Sequence, residues 1–336
     1  MKSGKILLLL VTIAVFVVLN LAVGSVAIPM SEVWRVLTGE ASSNVVWENI
    51  ILHTRLPQTL TALACGAGLA VAGLQMQTVF HNPLAGPSVL GVSSAASLGV
   101  AFMVLLGGAV GGRALSQFGL VGNAALTVAA VAGALAAMAL IVWLSSRVES
   151  RATLLIVGVL IGYIATAIIG VLKFFSNEED IRAYVIWGLG SFARVAGGQV
   201  YVFVGLMAVL CPLALLLAKP LNTLLLGERY AANLGLDVRR ARMLIIASAG
   251  ILTAVTTAYC GPIMFLGLAV PHIARGIFAT SDHRILLPAT LLTGSALALV
   301  CNLIARLPGM EGALPINSVT ALIGAPVAIA ILLRRK

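Results

Sequence analysis

Charge is what this 336-residue chain has least of: Asp, Glu, Lys and Arg make up 10% of it, against 60% hydrophobic residues. A soluble domain carries roughly 25% charge, so the balance excludes an ordinary water-soluble protein and points to several membrane spans. Charge is absent altogether over residues 6–28, 56–80, 88–112, 114–146, 152–172, 195–218, 243–271, 285–305 and 312–333. Each run exceeds the roughly 20 residues a helix needs to cross a bilayer. Alternating apolar and polar strands are missing too, which excludes a barrel and leaves helices as the spanning element.

Other absences bear on function. The middles of the runs hold no Asp, Glu, Lys or Arg, whereas proton- or sodium-coupled carriers usually keep an ionisable group at mid-membrane. Ion coupling is therefore disfavoured, and the energy comes from outside the chain. No G-x-x-x-x-G-K-[ST] phosphate loop occurs, so if ATP drives this protein another subunit binds it. The polar ring of a passive channel is lacking as well. Cysteine is scarce: Cys65, Cys211, Cys260 and Cys301 lie far apart inside apolar runs, with no CxxC or Cys/His spacing. They read as small buried hydrophobes rather than metal ligands.

What charge there is sets the topology. The first apolar stretch is too long for a signal-peptide core of roughly 7–15 residues and reads as a retained span. The run at 243–271 contains the turn dipeptide Gly261-Pro262. Counting it as one span puts 10 Lys and Arg inside and 11 outside, with the N-terminus inside. Splitting it there gives ten spans and places 14 inside, among them Arg334, Arg335 and Lys336, against 7 outside, namely Arg35, Arg55, Arg113, Lys173, Arg182, Arg194 and Arg306. The second count obeys the positive-inside rule. The expectation is an all-α membrane protein of about ten transmembrane helices, both termini cytoplasmic, in one domain over residues 1–336. The net charge of +10 mostly reflects this topology, and its dispersal over short loops excludes nucleic-acid binding.

The outside loops at about 29–55 and 173–194 read as short interfacial helices, with Trp34, Trp47 and Trp187 near the headgroups. "GPSVLGV" (86–92) and "GPIMFLGL" (261–268) echo each other on opposite sides of the membrane, as an inverted repeat would. The longest inside loop, 219–242, contains "GERYAANLGLDVRRARM", polar and helical in pattern. Such a patch is either a solvated loop or a docking element for a soluble subunit.

ABC importer permeases carry a cytoplasmic E-A-A-x-x-x-G element that rests on the ATPase. Gly227, Glu228, Ala231, Ala232 and Gly235 resemble a loosened version of it, with Arg239 and Arg240 as rim contacts. "RLPQTLTALACGAGLAVAGLQMQTVFHNPLAGPSVLGVSSAASLG" (55–99), "GPIMFLGLAVPHIAR" (261–275), "DHRILLP" (282–288) and "LPINSVTALIGAPVAIAILL" (314–333) resemble the permeases for iron-complex and cobalamin uptake. The resemblance implies the membrane subunit of a type II ABC importer for a ferric siderophore, haem or cobalamin, without naming which.

Further implications follow from that family: a homodimer in a bacterial inner membrane, two ATP-binding subunits that hold ATP and Mg2+, a substrate-binding protein, and no cofactor or catalysis on this chain. Asn82 and Leu84 would narrow the cytoplasmic exit with Ser145 and Ser146, unless "HNPLAGP" is a plain turn. His272 and Arg275 read as structural hydrogen bonders. Arg55 and Arg306 would meet acidic residues of the binding protein, or else anchor helix ends. Gln58 stands where the family often has a second basic residue. The rival class is an ion-coupled secondary transporter, which ATP depletion with the ion gradient intact separates.

Overall fold

The computed structural model describes residues 2–40, 42–106, 119–148, 150–307 and 313–333. Arg113, Arg334, Arg335 and Lys336, used in the charge count, lie outside the described residues. Within them the regular structure is helical, which makes this an all-α membrane protein. In chain order the α-helices are α1 (Lys2–Ala22), α2 (Met30–Leu37), α3 (Val45–Ile50), α4 (Leu56–Val79), α5 (Val92–Ala101), α6 (Gly119–Ser145), α7 (Arg151–Phe174), α8 (Glu178–Gly188), α9 (Gly198–Leu215), α10 (Ala218–Leu225), α11 (Glu228–Asn233), α12 (Val238–Cys260), α13 (Leu266–Phe278), α14 (His283–Ile304) and α15 (Ile316–Leu333).

Among the described residues, seven helical stretches are long and apolar enough to cross a membrane; α13 and the stretches Val92–Leu106 and Ile316–Ala330 are apolar but shorter. Burial ranks them. The stretch containing α4 is 83% buried, whereas those of α1 and α7 are only 22% buried. The bundle is therefore assembled around α4. Its glycines explain why, because a small residue lets backbones approach where lipid supplies no hydrophobic drive. A Cβ on Gly66 would lie 2.3 Å from the Gly294 carbonyl oxygen of α14, and one on Gly294 would lie 2.3 Å from that of Gly66. A Cβ on Gly73 would lie 1.7 Å from the Gly267 oxygen of α13.

The first apolar run is tied into this core by a polar link. The Asn20 amide donates to the Leu299 carbonyl at 3.1 Å, and Asn302 donates to Asn20 Oδ1 at 2.8 Å. The run at 243–271 breaks where expected. Gly261 caps α12 at φ +79, and α13 starts after Phe265 at φ +66. The echoing segment ends similarly, with Gly91 at φ +73 before α5. The loops 29–55 and 173–194 hold α2 and α8 as short helices, whereas α3 is no separate helix but runs through a π-helical turn at Ile51–Arg55 into α4, one stretch from Val45 to Val79. Trp34 is 67% exposed, but Trp187 is buried, under the Arg194 guanidinium 5.5 Å from its ring centre. Trp187 therefore packs against protein rather than standing free, because α8 folds its C-terminal end onto the core.

Candidate functional site

At the end taken as cytoplasmic, "GERYAANLGLDVRRARM" folds as a separate short pin followed by the first turns of α12. Gly227 at φ +98 and Gly235 at φ +84 bracket α11, conformations that a side chain resists. Ala231 is fully buried and plugs the pin into the core. Glu228 pairs with Arg242 at 2.8 Å, and Arg242 also donates to the Val148 carbonyl at 3.2 Å. These contacts couple α11 to α12 and to the end of α6. Ala232, Tyr230 and Leu234 face outward. Arg239 and Arg240 are exposed, Arg240 against Asp237 at 3.0 Å.

Ser145 and Ser146 line a cavity of about 610 Å3 together with Glu228, Ala232 and Arg239. Their hydroxyls donate back to the Val142 and Trp143 carbonyls at 2.8 and 2.7 Å. Asn82 and Leu84 belong to a different cluster. Asn82 Oδ1 accepts the Leu84 N–H at 3.0 Å, closing a local turn that leaves Leu84 exposed. That turn is clipped to α13. The His272 ring nitrogen meets the Pro83 carbonyl at 2.8 Å, and Arg275 donates to Gln77 at 2.7 Å, so both act as structural hydrogen bonders.

A third link holds α10 against α14. Thr78 lies 2.9 Å from one nitrogen of His283, and Asn222 lies 2.9 Å from the other. Asn222 also donates to Asp282 at 2.6 Å. The Arg284 N–H and this amide hold the Asp282 carboxyl below its usual range. Nothing in the spacing of these residues signals the network, since its members lie in three separate segments.

Opposite lies a cavity of about 310 Å3 lined by Arg55, Gln58 and Arg306. Arg55 is only 3% exposed; its guanidinium donates to the Leu21 and Ala22 carbonyls, each at 2.7 Å, and to that of Val26. Arg306 donates to Gln58 at 2.7 Å and to Asn20 at 3.0 Å. Gln58 thus supplies an acceptor where the family pattern would add a cation. Burial, and then the neighbouring Arg55 charge, push the Arg306 guanidinium down to about 10, which leaves it charged at neutral pH.

One feature escapes the sequence reading. Ser88, Ser94, Tyr163 and Thr166 line a recess of about 240 Å3 where Gly91 meets Gly158 and Gly162. Hydroxyls within apolar runs were the available signal.

The bundle thus carries a glycine-bracketed pin at one end and a cationic cavity at the other, and kinship to known permeases makes it the membrane-spanning subunit of an ABC importer, whose ATPase lies in a separate subunit. The chain belongs to the FecCD transport family, whose profile matches residues 10–334. It is similar to the vitamin B12 import system permease protein BtuC of Klebsiella pneumoniae, 38% identical over 99% of this chain and 93% of that one. The BtuC of Escherichia coli O6:H1 is also 38% identical, over 85% of this chain and 84% of that one. Among solved structures, an ABC transporter assigned to the metal-chelate type, in an inward-facing conformation, superposes with TM-score 0.84 at 28% identity, covering 98% and 99% of the two chains. PsaBC of Streptococcus pneumoniae shares the fold, with TM-score 0.55 at 17% identity.

Proposed function

We propose that two copies of this chain, spanning a bacterial inner membrane, pass a bulky metal chelate or cobalamin from a binding protein to the cytoplasm. Two ATPase subunits bind ATP and Mg2+ and press on α11. The observation that carries this reading is the pin itself: a six-residue helix held by Ala231 and the Glu228–Arg242 pair, with Ala232 facing out. The kinship to vitamin B12 permeases and to a metal-chelate transporter supports the cargo class. Vesicles containing the permease, its ATPase and the binding protein should accumulate cobalamin or a ferric chelate only with internal ATP. Uptake that follows an ion gradient without ATP would overturn the proposal.

The proposed topology has ten spans with both termini inside. It rests on the 14-to-7 division of Lys and Arg. A reporter fused after residue 261 is expected outside and one after residue 283 inside. The opposite pair of results rejects the arrangement.

For docking, the proposed socket is the cavity between Arg55 and Arg306, entered by an acidic side chain of the binding protein. Rim charges govern encounter rate and respond to salt. Arg306→Gln should slow association about tenfold at low salt and converge on the parent at high salt. Arg55→Glu should fail differently, by leaving buried carbonyls facing a carboxylate, and is expected to reduce folded protein. Equal association rates for the parent and Arg306→Gln at all salt concentrations would remove Arg306 from docking. Asn82 and Leu84 are kept as one part of the proposed inner gate and Ser145 and Ser146 as the other.

A further inference from the structure

We propose that a groove between α5, α6 and α7 holds one acyl chain of an anionic phospholipid, with the lipid phosphate at Arg147. The two faces of α7 differ in chemistry. One side carries the hydroxyl-lined recess of Tyr163 and Thr166. The other is a groove of about 580 Å3 lined by side chains such as Ala132, Ala136, Leu140, Ile161 and Ile164. Its lining residues carry no polar side chain, so it suits hydrocarbon and not a hydrated cargo.

The groove exists because α5 and α6 touch backbone to backbone. A Cβ on Gly99 would lie 2.2 Å from the Ala129 oxygen, and one on Gly133 would lie 2.2 Å from the Ala95 oxygen. That contact forms the floor, exposed Ala132 and Ala136 line one side, and Ile161 and Ile164 of α7 form the other. From Ala129 to Leu140 the lining of α6 covers twelve residues, or 11 steps, about 16 Å at 1.5 Å per step. One leaflet of a hydrocarbon core roughly 30 Å thick is about 15 Å, so the groove has the length of a single acyl chain.

What lies at its end argues for an anionic headgroup. Residues 133, 136, 140 and 143 follow one stripe at helical spacing, and Arg147 comes in the turn just after α6. Trp143 is 53% exposed there, and the exposed Arg147 guanidinium lies over its ring, 5.2 Å from the centre. A tryptophan beside an arginine is the pairing expected at a headgroup, and a guanidinium binds phosphate through two N–H groups. The adjoining cavity wall adds Arg229, Arg239 and Arg242 against the single carboxylate of Glu228. Basic pockets between spans on the cytoplasmic side attract anionic lipid; the assignment to that side rests on the topology proposed above.

The test uses the permease–ATPase complex in vesicles containing brominated phosphatidylglycerol or brominated phosphatidylcholine. Subtracting the fluorescence of Trp143→Phe isolates quenching at Trp143. The brominated phosphatidylglycerol is expected to quench at several-fold lower mole fraction than the brominated phosphatidylcholine. Arg147→Gln should bring the two curves together. Ala136→Phe fills the groove from an exposed position and should lower quenching by both lipids while basal ATPase activity persists. Equal quenching by the two lipids in the parent, or no change in Ala136→Phe, overturns the proposal. So does an Ala136→Cys disulfide between two copies, which would put a second subunit in the groove.

Discussion

Ala232→Trp is expected to cut uptake by about 5-fold or more while the complex still inserts and hydrolyses ATP. Ala232 is exposed at the tip of α11, so the isolated subunit tolerates the larger side chain. Its proposed partner does not: an overpacked contact costs roughly 1–3 kcal/mol, about 5- to 150-fold in an equilibrium at about 1.4 kcal/mol per factor of ten. Ala231→Trp is the informative contrast. Ala231 is fully buried, and its enlargement should displace the pin and lower folded yield. Uptake and ATPase rates measured side by side separate the two outcomes. Parental uptake in Ala232→Trp would sink the assignment of α11 as the coupling element.

Gly73→Ala should destabilise the subunit more than any surface change. The added methyl would lie 1.7 Å from the Gly267 carbonyl oxygen and 2.4 Å from its carbon, so α4 and α13 must separate. Both are backbone atoms in buried helices, and Gly267 itself rests on Pro87 and the Leu69 oxygen. A cost near the upper end of roughly 1–3 kcal/mol corresponds to a fall of about 4 °C in apparent Tm, at an unfolding entropy of about 2.1 cal/mol/K per residue. Gly170→Ala and Gly205→Ala have open space at the Cβ and should melt with the parent or slightly above it. A thermal scan in detergent decides; a Gly73→Ala variant melting with the parent would mean that the α4–α13 contact is not held in solution.

Much of the fold is legible where charge is missing, because the bilayer penalises charge and backbone alike. The break at Gly261-Pro262 is readable for the same reason that it exists, a glycine at φ +79 followed by a proline. Phe265 at φ +66 is not readable. A bulky residue there is an outlier, held by the close approach of Gly324, whose Cβ would lie 2.4 Å from the Phe265 Cβ.

The ends of α11 are legible in Gly227 and Gly235, yet Ala231 and Ala232 look equivalent in sequence. A 100° helical step sends one into the core and the other outward. Arg55 reads as a mouth residue, but its burial depends on carbonyls at positions 21, 22 and 26, some 30 residues away. Asn20 and Asn302 carried a fainter sign, as lone amides within apolar runs.

The four buried thiols have a practical corollary. Cys65, Cys211, Cys260 and Cys301 are all free and shielded, and only a thiolate that solvent can reach reacts quickly. A water-soluble maleimide should therefore ignore the wild-type chain. Single cysteines placed at Ala232, Leu84 or Ala136 can then be labelled in the native background, so probes of pin, exit and groove need no cysteine-free parent and carry none of the packing defects that removing four core side chains would introduce.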